Sequence, residues 1–431
     1  MSRTTFLATG DVFITRRIPE NGYEGFDRLR ACIRSHDVAF TNLEMTFHHR
    51  EGTPNAVSGG TWAMTDPAML DDVRRFGFNL YNTANNHSCD YSHDGLLATI
   101  RHLQERNMVF SGTGATLSDA SAPCYLEARN HRVALISVCS TLNPTDVPAD
   151  PTGSLPGRPG LNPLRYKRLY HLDEAHFAAA QELVQVSGVN IPRERSARNG
   201  YATPLPEGRL TLGNTEFVKD SRCYIESIYD KKDMARIEAE IREARRQADV
   251  VLVSLHAHEC DGMETNVPSQ FVEDFCHACI DAGATAVLGH GPHELRGIEL
   301  YKGGVIFYSL GNFIFETETV GLQPLDAYRN KGFADDTKVG QFMDARSKNG
   351  TCGYAVQEWI WKSVMAGFTV VDGRITQVQL YPIDLGQNKP RGQKGTPVLS
   401  DDEGILTYLQ SLSQPYGTQI RLENGVGLID L

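Results

Sequence analysis

The chain has no long hydrophobic run. None of its 431 residues fall in a stretch of the ~20 consecutive apolar residues that a spanning helix needs, so membrane insertion is not expected. It has no Lys/Arg run interleaved with aromatics either. With a net charge of −11, a nucleic-acid partner is not expected. A disulfide framework is also missing. The nine cysteines are scattered and odd in number, as reduced thiols would be. Cys276 and Cys279 have C-x-x-C spacing, but no second such pair exists. Phe271, Val272, Phe275, Cys276, Cys279 and Ile280 recur at helical spacing, which makes this pair core packing. There is no internal repeat. An apolar strand begins by about Thr5, leaving no room for a secretory signal peptide, so the cytoplasm is the expected location.

What the chain does have is a set of apolar, strand-like runs that each end in polar side chains. TFLATG ends at Asp11, and VAFT at Asn42-Leu43-Glu44. NLYNTA ends at Asn85-Asn86-His87, and VVLVSL at His256-Ala257-His258. TAVLG ends at His290, with His293 just beyond, and VIFYSLG ends at Asn312. Open α/β sheets bind ligands outside the carboxyl ends of their strands. The pattern therefore describes one site assembled from distant segments.

Strand, polar loop and helix alternate, so the fold class is α/β. Residues 1–386 are expected to form the main domain, with 387–431 a helical and extended tail packed on it. Residues 141–230 carry Pro/Gly clusters and weak periodicity, which predicts an insertion with some helix near 173–187. Helices are predicted near 232–248, 268–282 and 402–413, and a continuous strand over 304–315. Residues 316–352 read as a long irregular loop. Asp372-Gly373 between alternating runs predicts a hairpin.

Asp11, Glu44, Asn86, His87, His256 and His290 supply carboxylate, amide and imidazole groups of the kinds that hold a divalent metal such as Mn or Zn. Asn42, Arg16, His258 and Asn312 are candidate substrate-binding or supporting groups alongside Glu44, Asn86 and His87. Arg16 and Arg17 could clamp a carboxylate or phosphate. Asp90 and His93 read as organisers of the turn after His87. His48 and His49 are expected to be exposed. Trp62, Trp359 and Trp361 are expected in the core, with a substrate wall as the alternative.

The segments ATGDVFITR, FTNLEMTF, NTANNHSCDYSHDGLLATI, SLHAHE and VLGHGPHELRGIELYKGGVIFYSLGNFIF, in this order, resemble the CapA (poly-γ-glutamate capsule biosynthesis) family. The resemblance implies a fold like that of the calcineurin-like metallophosphatases, a four-layer αββα sandwich of two mixed sheets flanked by helices. It also exposes departures. The usual Asp-x-His becomes Asp11-Val12-Phe13, and the usual Gly-Asp-x-x-Asp/Asn becomes Asn42-Leu43-Glu44. Gly-Asn-His is kept as Asn85-Asn86-His87, and Gly-His-x-His gains a residue as Gly289-His290-Gly291-Pro292-His293. A tight pair of ions ~3.5–4 Å apart needs a full ligand set. One weakly bound divalent metal, or none, is therefore expected.

Without a metal, Asp11 with His293 or His290 could act as an acid–base pair. The resemblance also implies kinship with peptide epimerases of lasso-peptide biosynthesis. Familiar capsule members carry an N-terminal membrane anchor, and none is expected in this chain. A soluble enzyme acting on a peptide or glutamyl-type substrate is expected. Metal-independent Cα epimerisation stands beside metal-dependent hydrolysis of phosphoester or amide bonds, a poly-γ-glutamate biosynthesis factor, and a non-catalytic binding protein.

Overall fold

The computed structural model describes residues 2–431. Its architecture follows from period-two alternation in two sheets. In the strand Arg132–Cys139, Val133 and Leu135 face one hydrophobic core, while Ala134, Ile136 and Val138 face another. Val250 and Leu252 split from Val251, Val253 and Leu255 in the same way. In the strand Arg3–Phe13, Phe6 and Ala8 join the first of these cores and Leu7 joins a third. Strands buried on both faces read as near-continuous apolar runs, which is how they appear in the sequence.

The shared core lies between the two sheets. Phe6, Phe40, Leu80 and Phe368 from one sheet meet Leu135, Leu252, Leu288 and Phe307 from the other. Helices cover the outer faces. Phe26–Arg34 and Ala68–Phe76 pack Leu29, Ile33, Leu70 and Val73 on the first sheet. Lys231–Gln247 and Gln270–Ala282 pack Ile237, Ile241, Phe275, Cys276 and Cys279 on the second. This is the four-layer α/β/β/α sandwich that the resemblance implies, and both C-x-x-C cysteines are core residues.

The first sheet has ten strands and the second has six. In the first, Arg3–Phe13 is central. Val38–Leu43 pairs with it in parallel and Lys362–Val371 antiparallel, while Asn312–Phe315 joins its far end in parallel. In the second, Arg132–Cys139, Val250–His256, Ala286–His290 and Gly304–Phe307 run parallel. The parallel strands of both sheets therefore bring their carboxyl ends to one edge.

Some segments differ from expectation. The run 304–315 is two strands, Gly304–Phe307 and Asn312–Phe315, one in each sheet. Its centre, YSLG, carries the chain from one sheet to the other, a step that hydropathy does not mark. Within 141–230, four strands form a sheet of their own, beside the helix Glu174–Ser187. These strands are only partly buried, so their alternation is faint. Residues 316–352 include the helices Leu325–Arg329 and Val339–Arg346. Beyond 386, the strands Ile420–Glu423 and Val426–Ile429 extend the first sheet, and the helix Glu403–Ser413 buries Ile405, Leu406 and Leu409 in the shared core. The Asp372-Gly373 hairpin is present, with φ of 48° and 80° at its two centres, the left-handed pair a tight turn requires. Among the described residues no helix is long and apolar enough to cross a membrane.

Candidate metal centre

Backbone register builds the centre. Asp11 lies opposite Asn42 on one side and Asn312 on the other, and Asn42 lies opposite Asn82. In the second sheet His256 lies opposite His290. The register between Arg3–Phe13 and Val38–Leu43 shifts between Ala8 and Asp11, the kind of irregularity that re-aims a side chain. Gly10 is needed here. A Cβ on it would sit 2.0 Å from the Gly311 carbonyl oxygen.

Five side chains, those of Asp11, His87, His256, His258 and His293, surround Glu44, which is fully buried. Neither of its carboxylate oxygens has a hydrogen-bond partner. Around it stand His256 Nε2 and His293 Nδ1, each at 3.7 Å, and His87 Nε2 at 3.9 Å. His258 Nε2 lies 3.2 Å from His256 Nε2. Two groups of donors therefore share one carboxylate: Glu44, His256 and His258, and Asp11, Glu44 and His293.

Supporting bonds orient these groups. Asn42 Nδ2 donates to Asp11 Oδ1 at 2.7 Å and reaches His256 Nδ1 at 3.1 Å. Asn42 Oδ1 accepts from Asn82 Nδ2 at 2.8 Å. The Gly291 N–H points at Asp11 Oδ2 from 3.3 Å. Asp90 takes His87 Nδ1 at 2.6 Å, which turns the other ring nitrogen toward Glu44. Asn312 Oδ1 faces His293 Nδ1 at 3.0 Å, and Asn312 Nδ2 donates to the His293 carbonyl at 3.0 Å. His293 has φ of 62°, a left-handed conformation costly outside glycine and typical of functional positions.

Charge is divided unevenly. Burial pushes Glu44 well above the ordinary carboxylate range, and Asp11 and Asp90 add like charge. Burial would raise Asp11 too, but the His293 imidazole and the neighbouring His256 and His290 outweigh it and hold Asp11 low. Burial drives His256 down to about 3 and His258 well below its usual value. A buried carboxylate without donors, beside the His256 and His258 rings that burial keeps neutral, is a costly arrangement unless a cation lies among them. The donor set therefore fits a divalent ion. Carboxylate with imidazole suits Zn, Mn or Fe.

Not every predicted residue joins the cluster. His290 is fully buried, but its Nε2 faces the Thr9 carbonyl at 3.1 Å and its Nδ1 faces Ser254 at 3.5 Å. The added residue in the Gly-His-Gly-Pro-His run lets His293, not His290, face Glu44. Asn86 lies beside the cluster with its Oδ1 buried and unpartnered, its amide reaching Gly59 at 3.3 Å. Arg16 is held elsewhere, by Glu316 at 2.9 Å and by the Arg391 and Lys394 carbonyls. Arg17 is held by Asp72. His48 is buried, not exposed, because it packs on Tyr91 and accepts from the Glu51 N–H. Trp62 and Trp361 are core residues, and Trp359 stacks on Tyr408. Tyr354, which the sequence did not single out, packs its ring 5.7 Å from that of His293. It lies in a segment with no periodicity to mark it.

The profile of the family described as bacterial capsule synthesis protein PGA_cap matches residues 5–317. The uncharacterized protein y4sH of Sinorhizobium fredii is 33% identical, over 99% of this chain and 93% of its own. The capsule biosynthesis protein CapA of Bacillus anthracis is 28% identical over 57% of this chain and 42% of its own. The PGA biosynthesis protein CapA of Bacillus subtilis is 26% identical over 68% and 56%.

Proposed function

We propose, from the premise that this chain belongs to the bacterial capsule synthesis protein family, that it is a divalent-metal-dependent hydrolase of amide bonds in a glutamyl or peptide substrate. One observation carries the reading. The buried Glu44 carboxylate has no donor and is shared by two groups of metal-ligand side chains. The capsule and PGA biosynthesis names of the Bacillus relatives support the glutamyl substrate class.

Glu44, Asp11, His293, His256 and His258 would hold the metal, with His87 beside them. A divalent ion there would polarise the scissile carbonyl and lower the pKa of an attacking water. The protein's own work is positional. Asn42 ties Asp11 to His256 across the two sheets. Asp90 fixes the His87 ring, and Asn312 fixes His293. Pre-set orientation of this kind is where much catalytic advantage originates.

Epimerisation would need two groups on opposite faces of a Cα–H. Asp11 Oδ2 and His293 Nδ1 stand side by side, 3.6 Å apart. They cannot bracket one carbon, so hydrolysis is the better reading.

The test is metal analysis of protein purified without chelator, followed by chelation and refilling with Mn²⁺ or Zn²⁺, assayed on γ-glutamyl peptides. Bound metal and restored cleavage are expected. The variant Glu44→Gln should lose metal and at least ~100-fold in rate, the order of one removed electrostatic group. Full turnover after chelation, or a metal-free Glu44→Gln protein that keeps its rate, would overturn the proposal.

A further inference from the structure

A cavity of about 150 Å³ opens beside the metal centre, lined by Thr317, Glu318, Met343, Arg346, Tyr354 and Gln357 among others. Tyr354 is shared by the two, lining the cavity and packing on His293. Its ring packs against His293 and, at 5.2 Å, against Phe315, and its carbonyl is fixed by the Trp361 indole N–H at 2.7 Å. The charges on the other side are unevenly matched. Glu318 is paired with Arg391 and Lys394, and Asp344 with Arg391. Arg346 is different. It reaches from the end of the helix Val339–Arg346 across to the Thr61 hydroxyl, and among the described residues it has no carboxylate within ion-pair distance. Thr61 lies two residues beyond Gly59, whose carbonyl accepts from the Asn86 amide beside the centre. Gln323 stitches the same loop to the far wall by bonds to the backbone of Trp62. The cavity is lined by residues 317–357 alone, and Arg346, bonded to Thr61, is the guanidinium in that lining without a carboxylate partner among the described residues.

We infer that this cavity is a carboxylate-binding subsite in which Arg346 holds the free acid of a glutamyl residue while the adjoining bond lies over Glu44. The inference rests on the glutamyl reading above. About 150 Å³ is room for roughly five water-sized groups, the size of a carboxyethyl side chain. A planar guanidinium fits such a carboxylate in the fork geometry, which Lys cannot reproduce.

The experiment is calorimetric binding of γ-glutamyl-glutamate and of its γ-glutamyl-glutamine amide to the metal-loaded protein, alongside cleavage of both. The wild type should bind the acid at least ~10-fold more tightly than the amide. Arg346→Gln should erase that difference with unchanged melting temperature and metal content. Arg346→Lys should recover only part of it. A γ-glutamyl-glutamate with its terminal α-carboxyl amidated separates the side-chain acid from the chain end, and should still bind tightly. Equal affinity for acid and amide in the wild type, no binding of either, or an acid preference that survives Arg346→Gln would overturn the subsite. Arg346-dependent binding without cleavage under any divalent metal would overturn the hydrolase reading while leaving the subsite standing.

Discussion

At the scale of single residues, the chain places buried titratable groups in two settings. Glu44 and its imidazoles form the proposed metal centre, while His48 is a structural histidine. Its Nε2 is buried without a partner, and burial drives it down to about 4. The folded state thus holds His48 neutral where the unfolded chain, with a value of about 6.5, takes up a proton. His48 stability is present above pH 6.5 and is lost as pH falls through that window toward 4. The melting temperature of wild type should drop more steeply over this range than that of His48→Asn, which keeps an acceptor for the Glu51 N–H. Parallel curves for the two proteins would contradict this. The residue types at the strand ends were legible because ligand chemistry uses so few side chains. Which histidine turned inward was not. His290 and His293 differ by a backbone twist at φ of 62°, and no sequence pattern records a dihedral angle.

At the scale of elements, the approach of Arg3–Phe13 to the turn at Gly311 sets the centre's geometry. The Asp11 N–H donates to the Gly311 carbonyl at 3.0 Å, and a Gly10 Cβ would occupy the same space. Gly10→Ala should cost more than the ~1–3 kcal/mol of ordinary overpacking, since the clash is with backbone and not a movable side chain. It should also lower metal affinity by displacing Asp11. By contrast, a Cβ at Gly373 meets nothing within 4 Å, though its φ of 80° is still unfavourable for other residues. Gly373→Ala should therefore lose about 1 kcal/mol and leave metal binding intact. Thermal melts and metal titration of the two variants would separate these effects. Buried strands and amphipathic helices such as Lys231–Gln247 were readable from periodicity alone. The sheet within 141–230 was not, because half-exposed strands bury too little to alternate clearly.

At the scale of the whole molecule, the last thirty or so residues are part of the core. Ile405, Leu406, Leu409, Ile420 and Ile429 pack between the two sheets, and burying each such side chain is worth roughly 1.5–3 kcal/mol. Ending the chain at Asp402 should yield protein without a cooperative thermal transition. A sharp melt with native far-UV dichroism would contradict this. The α/β class was visible in the sequence, but two facing sheets were not separable from one open sheet by pattern, since strands buried on both faces read alike in either. The central position of Arg3–Phe13 has a further consequence, in time. This strand is made before its partners: it takes one neighbour from residues 38–43 and its others from 312–315 and 362–371. At roughly 5–20 residues per second, a ribosome delivers those partners on the order of tens of seconds later. A nascent chain thus carries this central strand half-paired until residues 312–371 have emerged. Asp11 meets Asn312 only after residue 312 has been made, so no fragment stalled before it can assemble the proposed centre.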